Sequence, residues 1–369
     1  MKVRDIATAL DQIAPPQLAA EWDNVGLLIG EPDKTVRKLM LCIDLTPEVL
    51  AEARAVKAQM VMAYHPPIFK PVERVRADLQ PAVYEAVRAG VAVYSMHTAL
   101  DAAPGGTNDV LAEAVGIAAP KPLEPRDLPG MCKVVVFAPP DDLSAIADAA
   151  FAAGAGRIGN YYDCAFFCHG IGVFCGEPSA RPSLGKPGRH EAIEEMRLET
   201  VAPRRLAPAV VAAVQAAHSY ETPRIDVLPL EQYPPGCGMG RVGELAKPVT
   251  ASALISRIKK ALGVPKVQVA GGPKGKAAGP KVKIVACAAG SAGGLFRSAV
   301  AAGATLYVTG EMRHHDALAA RQAGLTVVCV GHSNSERIAL AKLATRLEKL
   351  CGKLSVAVSK KDIDPFAVI

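Results

Sequence analysis

The chain has 369 residues, half of them apolar and 21% charged, with a formal charge of +6. That length exceeds one ordinary core and predicts two or three domains with substantial apolar interiors, which excludes a disordered chain. The Lys and Arg residues are spread along the whole length and form no basic arm with interleaved aromatics, so nucleic acid is not an expected partner. No apolar run approaches the roughly 20 residues of a membrane span. The nine cysteines lie mostly in apolar runs, as Cys42, Cys287 and Cys329 do, where Cys packs as a small hydrophobe. All nine read as reduced, and the strand-like run between Cys164 and Cys168 argues against a zinc knuckle.

In chain order, residues 1–10 read as an amphipathic helix with charge inside it, neither a secretory nor a transit segment, so a cytoplasmic protein is expected. Asp23-Asn24 leads into a strand ending at Gly30, and Trp22, the only tryptophan, has packing as its plain role. Strands at 38–45, 60–64 and 91–96 alternate with helices at 47–56 and 81–89, the pattern of a mainly parallel sheet. His65 and His97 stand at the carboxyl ends of two of these strands, with Asp101 shortly after. Ligands bind along that edge in open parallel sheets.

Residues 123–128 read as a linker. Beyond it come strands at 132–138, 164–168, 172–175, 195–201 and 225–230, with helices at 142–153 and 206–217 and a glycine-rich turn at 154–161. The order is that of a ferredoxin-like unit, and its turn matches no nucleotide fingerprint. Pro and Gly residues at 234–240 mark its far boundary. The third segment repeats the first. A strand at 282–287 leads through Gly290 to Gly294 into a helix, a strand at 306–308 ends at Thr309-Gly310-Glu311, and a strand at 326–330 ends at Gly331-His332. The Gly290–Gly294 run reads as a strand-to-helix loop or as an anion-binding turn. The adjacent His314 and His315 point about 100° apart on a helix, so they support a site from outside it at best.

Glu336 lies one turn after His332, which puts an imidazole and a carboxylate on one helix face, as a divalent metal requires. The same residues also read as a helix start, with Ser333 as cap and Glu336 completing a capping box. The fold class expected is α/β: two similar halves with mainly parallel sheets forming one core, 1–125 and 234–369, and an inserted α+β domain at 126–233.

Six motifs, in order across the chain, carry a resemblance. They are Glu21-Trp22-Asp23-Asn24-Val25-Gly26-Leu27, Tyr64-His65-Pro66, His97-Thr98-Ala99-Leu100-Asp101, Gly106-Thr107-Asn108-Asp109, Thr309-Gly310-Glu311 with His314-His315, and Gly331-His332-Ser333-Asn334-Ser335-Glu336. Together they resemble the Ngg-interacting-factor-three-like family, which includes the GTP cyclohydrolase 1 type 2 homologues. The middle segment is similar to the insertion of the longer members, which has the fold of the nitrogen regulator PII. The resemblance implies a dinuclear site for Zn, Fe or Mn, inside a toroidal homohexamer. His65 and Asp101 would hold one ion, His332 the other, Glu336 would bridge them, and His97 would line the site as a ligand or proton shuttle.

Tyr64 departs from the pattern, because the family usually has histidine there. A phenol with a pKa of about 10 is a poor ligand for Zn²⁺ or Mn²⁺, though ferric iron stabilises a phenolate. One firm and one weaker metal position are therefore expected, with one or two ions per chain. A divalent ion would lower the pKa of its water toward about 7, so the resemblance implies a metal-dependent hydrolase acting on a nucleotide-like substrate. His97 and Glu336 would be its catalytic residues. The alternative from another class is a metal chaperone or a regulatory scaffold.

Overall fold

The apolar runs Leu39–Cys42, Met60–Ala63 and Ala92–Ser95 are buried along their whole length, the mark of strands covered on both faces. A computed structural model describes residues 1–126, 131–158, 161–230, 236–272 and 281–367. The chain divides into two compact units, Met1–Asp127 with Tyr233–Ile369, and Leu128–Gln232.

In the first unit one sheet runs in the order Gly26–Ile29, Ala92–Ser95, Met60–Ala63, Lys38–Cys42, Ser355–Val358. Its pairings are parallel except for Gly26–Ile29 against Ala92–Ser95. Helices Pro47–Ala55 and Pro81–Ala89 both open with proline at their first turn, where its missing N–H costs nothing. They cover one face through Val49, Leu50, Val83 and Ala86. The edge strand Ser355–Val358 was not foreseen, because it is short and flanked by turns.

The second sheet has the order Gln268–Ala270, Thr326–Cys329, Leu306–Thr309, Lys281–Ala288, Gly238–Thr250, Ile117–Pro125. Here the expectation of a mainly parallel sheet fails, since only two of the five pairings are parallel. The long strand Gly238–Thr250 lies antiparallel to both its neighbours and carries the sheet to its edge. The expected linker at 123–128 is corrected in part as well: Pro122, Glu124 and Pro125 pair with Arg241, Met239 and Gly238. Proline is tolerated there because Ile117–Pro125 is an edge strand. The helix Thr107–Val115 packs Leu111 and Val115 with Leu254, Val285 and Val308, so an element of the first half helps to fill the core of the second sheet.

The unit Leu128–Gln232 carries an antiparallel sheet in the order Ala165–Cys175, His190–Pro203, Met131–Ala138, Ile225–Pro229. Helices Leu143–Ala152 and Ala207–Ala217 bury Ile146, Ala150, Val210 and Val214 against Val134, Val136 and Leu198. The runs expected at 164–168 and 172–175 form one strand. Gly172 continues it because a Cβ there would sit 2.1 Å from the Glu195 carboxylate, which lies across the glycine. Gly159 and Asn160 of the glycine-rich turn, and Pro234 and Pro235 of the far boundary, lie outside the described residues.

Candidate metal centre

The first sheet delivers its side chains at the carboxyl edge because its ladder runs on past the strands. The backbone N–H groups of Tyr64 and His65 bond to the carbonyls of Cys42 and Ile43 at 2.8 and 2.9 Å, and that of His97 to Tyr64 at 3.1 Å. His97 opens the helix His97–Ala102 with φ at 27°, a conformation rare outside glycine. Asp23 holds it there by accepting from His97 Nδ1 at 2.7 Å and from the Thr98 N–H at 3.1 Å. Asp101 follows one turn later and is buried.

The second sheet ends at Gly331, which adopts φ 94° and starts the helix His332–Cys351 without a side-chain cap. The capping-box reading is thereby set aside. The helix begins one residue before the serine, and Ser333 Oγ has no hydrogen-bond partner. The Glu336 carboxylate turns away from the helix start instead. Its Oε1 lies 3.2 Å from His332 Nε2, and its Oε2 faces His65 Nε2 at 3.4 Å, an ion-pair contact without hydrogen-bond geometry. Gly290 makes room for it, because a Cβ there would stand 2.6 Å from Oε1. Ser335 Oγ accepts the Gly290 N–H at 2.8 Å and donates to the His332 carbonyl at 2.6 Å, which ties that loop to the helix.

Each imidazole is held from behind by a carboxylate. Asp44 accepts from His65 Nδ1 at 2.9 Å, and Glu311 from His332 Nδ1 at 3.0 Å. An ionised carboxylate can only accept, so Nδ1 carries the proton and a neutral ring presents its Nε2 lone pair to the centre. Asp44 is steadied in turn. Asp362 accepts the Ile43 N–H at 2.7 Å and pairs with Arg337, the neighbour of Glu336, at 2.5 Å. Asn108 bonds the Asp101 carbonyl at 3.0 Å and the Ala289 N–H at 2.9 Å, which joins the two sheet edges.

The charges are mutually sustaining. Burial opposes protonation of His65, but Asp44 and Glu336 outweigh it and push its pKa to about 10. Glu336 and Glu311 push His332 to about 9, against burial. Burial would raise Glu336, yet the two histidines bring it below the usual carboxylate range. The two histidines and Glu336 thus favour one another's charged forms, and a cation bound there would compete with protons.

His65, His332 and Glu336 have ligand atoms within 4.8 Å of one another and form a group that can hold a metal ion. Two imidazole nitrogens and a carboxylate are a donor set that suits Zn, Fe or Mn, and the buried Glu336 Oε2, which has an ion-pair contact with His65 but no hydrogen bond, is one of the oxygens that can ligate. Asp101 stands apart from this group. Its carboxylate accepts the Tyr64 hydroxyl, and burial with the nearby Glu336 charge raises it to about 6. His65 and His332 both meet Glu336, the carboxylate expected to bridge two ions. Tyr64 is wholly buried, and burial together with Asp101 raises its phenol well above the usual value. His97 stands beside the group, its ring centroid 5.2 Å from that of His65. His314 and His315 are exposed at the start of the helix His314–Gln322 and outside the group. Glu311 takes the supporting place instead. Asp44 and Glu311 were missed as participants, although both follow strand ends, and that position was their signal.

Strand-end imidazoles converging on a helix-borne carboxylate across two sheets define an α/β protein with a metal-capable centre. The chain belongs to the Duf34/NIF3 (NGG1p interacting factor 3) family, whose pattern matches residues 1–365. It is 34% identical over 373 residues to a Bacillus subtilis protein named GTP cyclohydrolase 1 type 2 homolog, covering 99% of this chain and 98% of the relative. Among solved structures it is similar to a Bacillus cereus protein related to NIF3, at 33% identity, TM-score 0.77 and coverage of 100% and 99%. It is also similar to a Staphylococcus aureus protein at 27% identity, TM-score 0.83 and the same coverage. Among the described residues no helix is long and apolar enough to cross a membrane.

Proposed function

We propose that the protein is a divalent-metal-dependent hydrolase acting on a nucleotide-like substrate. The observation that carries this reading is the group of His65, His332 and Glu336, with both imidazoles braced by carboxylates and Glu336 Oε2 left without a hydrogen bond. Construction of this kind fixes ring tautomer and direction, which metal ligation requires and packing does not. When bound, a divalent ion polarises an electrophile and lowers the pKa of a water toward about 7. The chain's own residues do the rest. His65 and His332 present Nε2, Glu336 supplies the anionic oxygen between them, and His97, its Nδ1 tied to Asp23, is free to take or give a proton at Nε2. The relatives' name supports a nucleotide as the substrate class.

The test is turnover of GTP by the purified, metal-loaded protein beside Glu336→Ala. The variant is expected to lose bound metal and turnover together; equal rates would remove the reading for GTP. Labile, exchangeable iron with no hydrolysis of nucleotides would favour the metal-handling alternative.

The same reading takes the unit Leu128–Gln232 as PII-like, which its strand order supports, and the protein as a cytoplasmic homohexameric toroid. Native mass spectrometry is then expected to show a particle six times the 38.5 kDa chain. A monomer at micromolar concentration contradicts that assembly.

A further inference from the structure

The tryptophan read from sequence as a packing residue does not pack. Trp22 is 63% exposed, although an indole gains more from burial than almost any other side chain. Its ring lies 5.8 Å from that of Phe69, itself 45% exposed, and meets the edge of His97 at 5.9 Å. The two rings, tilted 55° to each other, therefore form an angled aromatic face that reaches from solvent to His97.

This face is held out deliberately by its neighbours. The carboxylate of Asp23, next in the chain to Trp22, is fully buried and engages His97 and Thr98. On one side the Ala20 N–H bonds Thr98 Oγ at 2.9 Å, and on the other Asn24 donates to the Ile68 carbonyl at 2.6 Å. The Asn24 bond ties the loop carrying Phe69 to the loop carrying Trp22. Since that loop also follows His65, both aromatics are fixed to the same backbone segments that position the site.

We propose that Trp22, with Phe69 beside it, is the wall on which the planar heteroaromatic ring of the substrate stacks at the mouth of the metal centre. The proposal deepens the hydrolase reading and rests on its nucleotide-like substrate. Its chemistry is that of base–aromatic stacking, which tolerates any base because every base has a π face. The continuity of the wall with His97 selects a small ring entering the site over another apolar occupant, because the ring would lie beside the group that moves protons.

The chain has a single tryptophan, so its emission reports on this wall alone. The metal-loaded full chain is titrated with GTP, ATP and CTP, and with inorganic tripolyphosphate as a probe lacking a ring. Saturable quenching by the nucleotides and none by tripolyphosphate is expected. Trp22→Ala is expected to weaken GTP binding in equilibrium dialysis about tenfold, as loss of a stacked base does, with metal content unchanged, and Trp22→Phe to restore most of it. Absence of quenching by all three nucleotides overturns the proposal. So does an indole shielded from iodide in the unliganded protein, because another copy of the chain then covers it. The two readings separate cleanly. Quenching without GTP turnover keeps the wall and removes the hydrolase, and turnover without quenching does the reverse.

Discussion

The purified protein is expected to hold about one tightly bound divalent ion per chain, at the group His65, His332 and Glu336. The second carboxylate at this edge, Asp101, is engaged by the Tyr64 hydroxyl within a buried pair. The Tyr64 hydroxyl occupies one acceptor site of Asp101 Oδ1 and supplies no ligand nitrogen, so Asp101 brings only its remaining lone pairs to a metal. Tyr64→His adds an imidazole beside Asp101. Metal content measured by plasma mass spectrometry is expected to rise from about one toward two equivalents in that variant, and to stay near one in Tyr64→Phe, which donates nothing. Two equivalents in the wild type, unchanged by Tyr64→Phe, would sink the expectation. Circular dichroism of each variant separates an altered site from a lost fold.

The largest expected effect on stability lies away from the centre, at Arg241. Its side chain is fully buried, and its guanidinium makes paired bonds to Asp109 at 2.6 and 2.8 Å. It also donates to the carbonyls of Gly238 and Gly240 at 2.8 and 2.7 Å, and to those of Gly236 and Ala103 at 3.1 and 3.3 Å. One residue thus satisfies the turn before the strand Gly238–Thr250, the end of the helix His97–Ala102, and the helix Thr107–Val115. Arg241→Met keeps much of the volume but strands these acceptors, and truncating one partner of a buried ion pair costs about 3–5 kcal/mol. A fall in Tm on the order of 10 °C is expected by calorimetry. A fall within error would show that water replaces the guanidinium. Arg241→Lys recovers little, because an ammonium cannot make the forked contact.

How much of this was legible depended on whether a residue's partners lie on its own element. His332 and Glu336 are one helical turn apart, so their convergence follows from spacing alone. His65 and His97 follow from strand ends, where a buried apolar run stops. The bracing carboxylates were hidden, because Asp44 is 21 residues from His65 and Glu311 is 21 from His332, each just past the end of a neighbouring strand whose register the chain does not announce. The contact of Tyr64 with Asp101 was hidden for a related reason, since 37 residues separate them. The end of the edge strand Ile117–Pro125, from Leu123 on, was taken for a linker because proline usually marks one, and its outer position made the prolines harmless. Trp22 was taken for a core residue because composition cannot say which face of a loop is pinned outward by its neighbours.

The strand Ser355–Val358 and the carboxylate of Asp362 impose an order on biosynthesis. Both complete the edge of a sheet whose inner strands emerge from the ribosome early, and the Ile43–Asp362 contact spans 319 residues. The unit Leu128–Gln232 contains all its strand partners within about a hundred consecutive residues, so it can fold while synthesis continues. The pocket around His65 cannot. Until residue 362 has left the exit tunnel, its strand edge is unpaired and the Ile43 amide beside Asp44 lacks its acceptor. The support behind His65 is therefore complete only once the segment carrying Asp362 has been made.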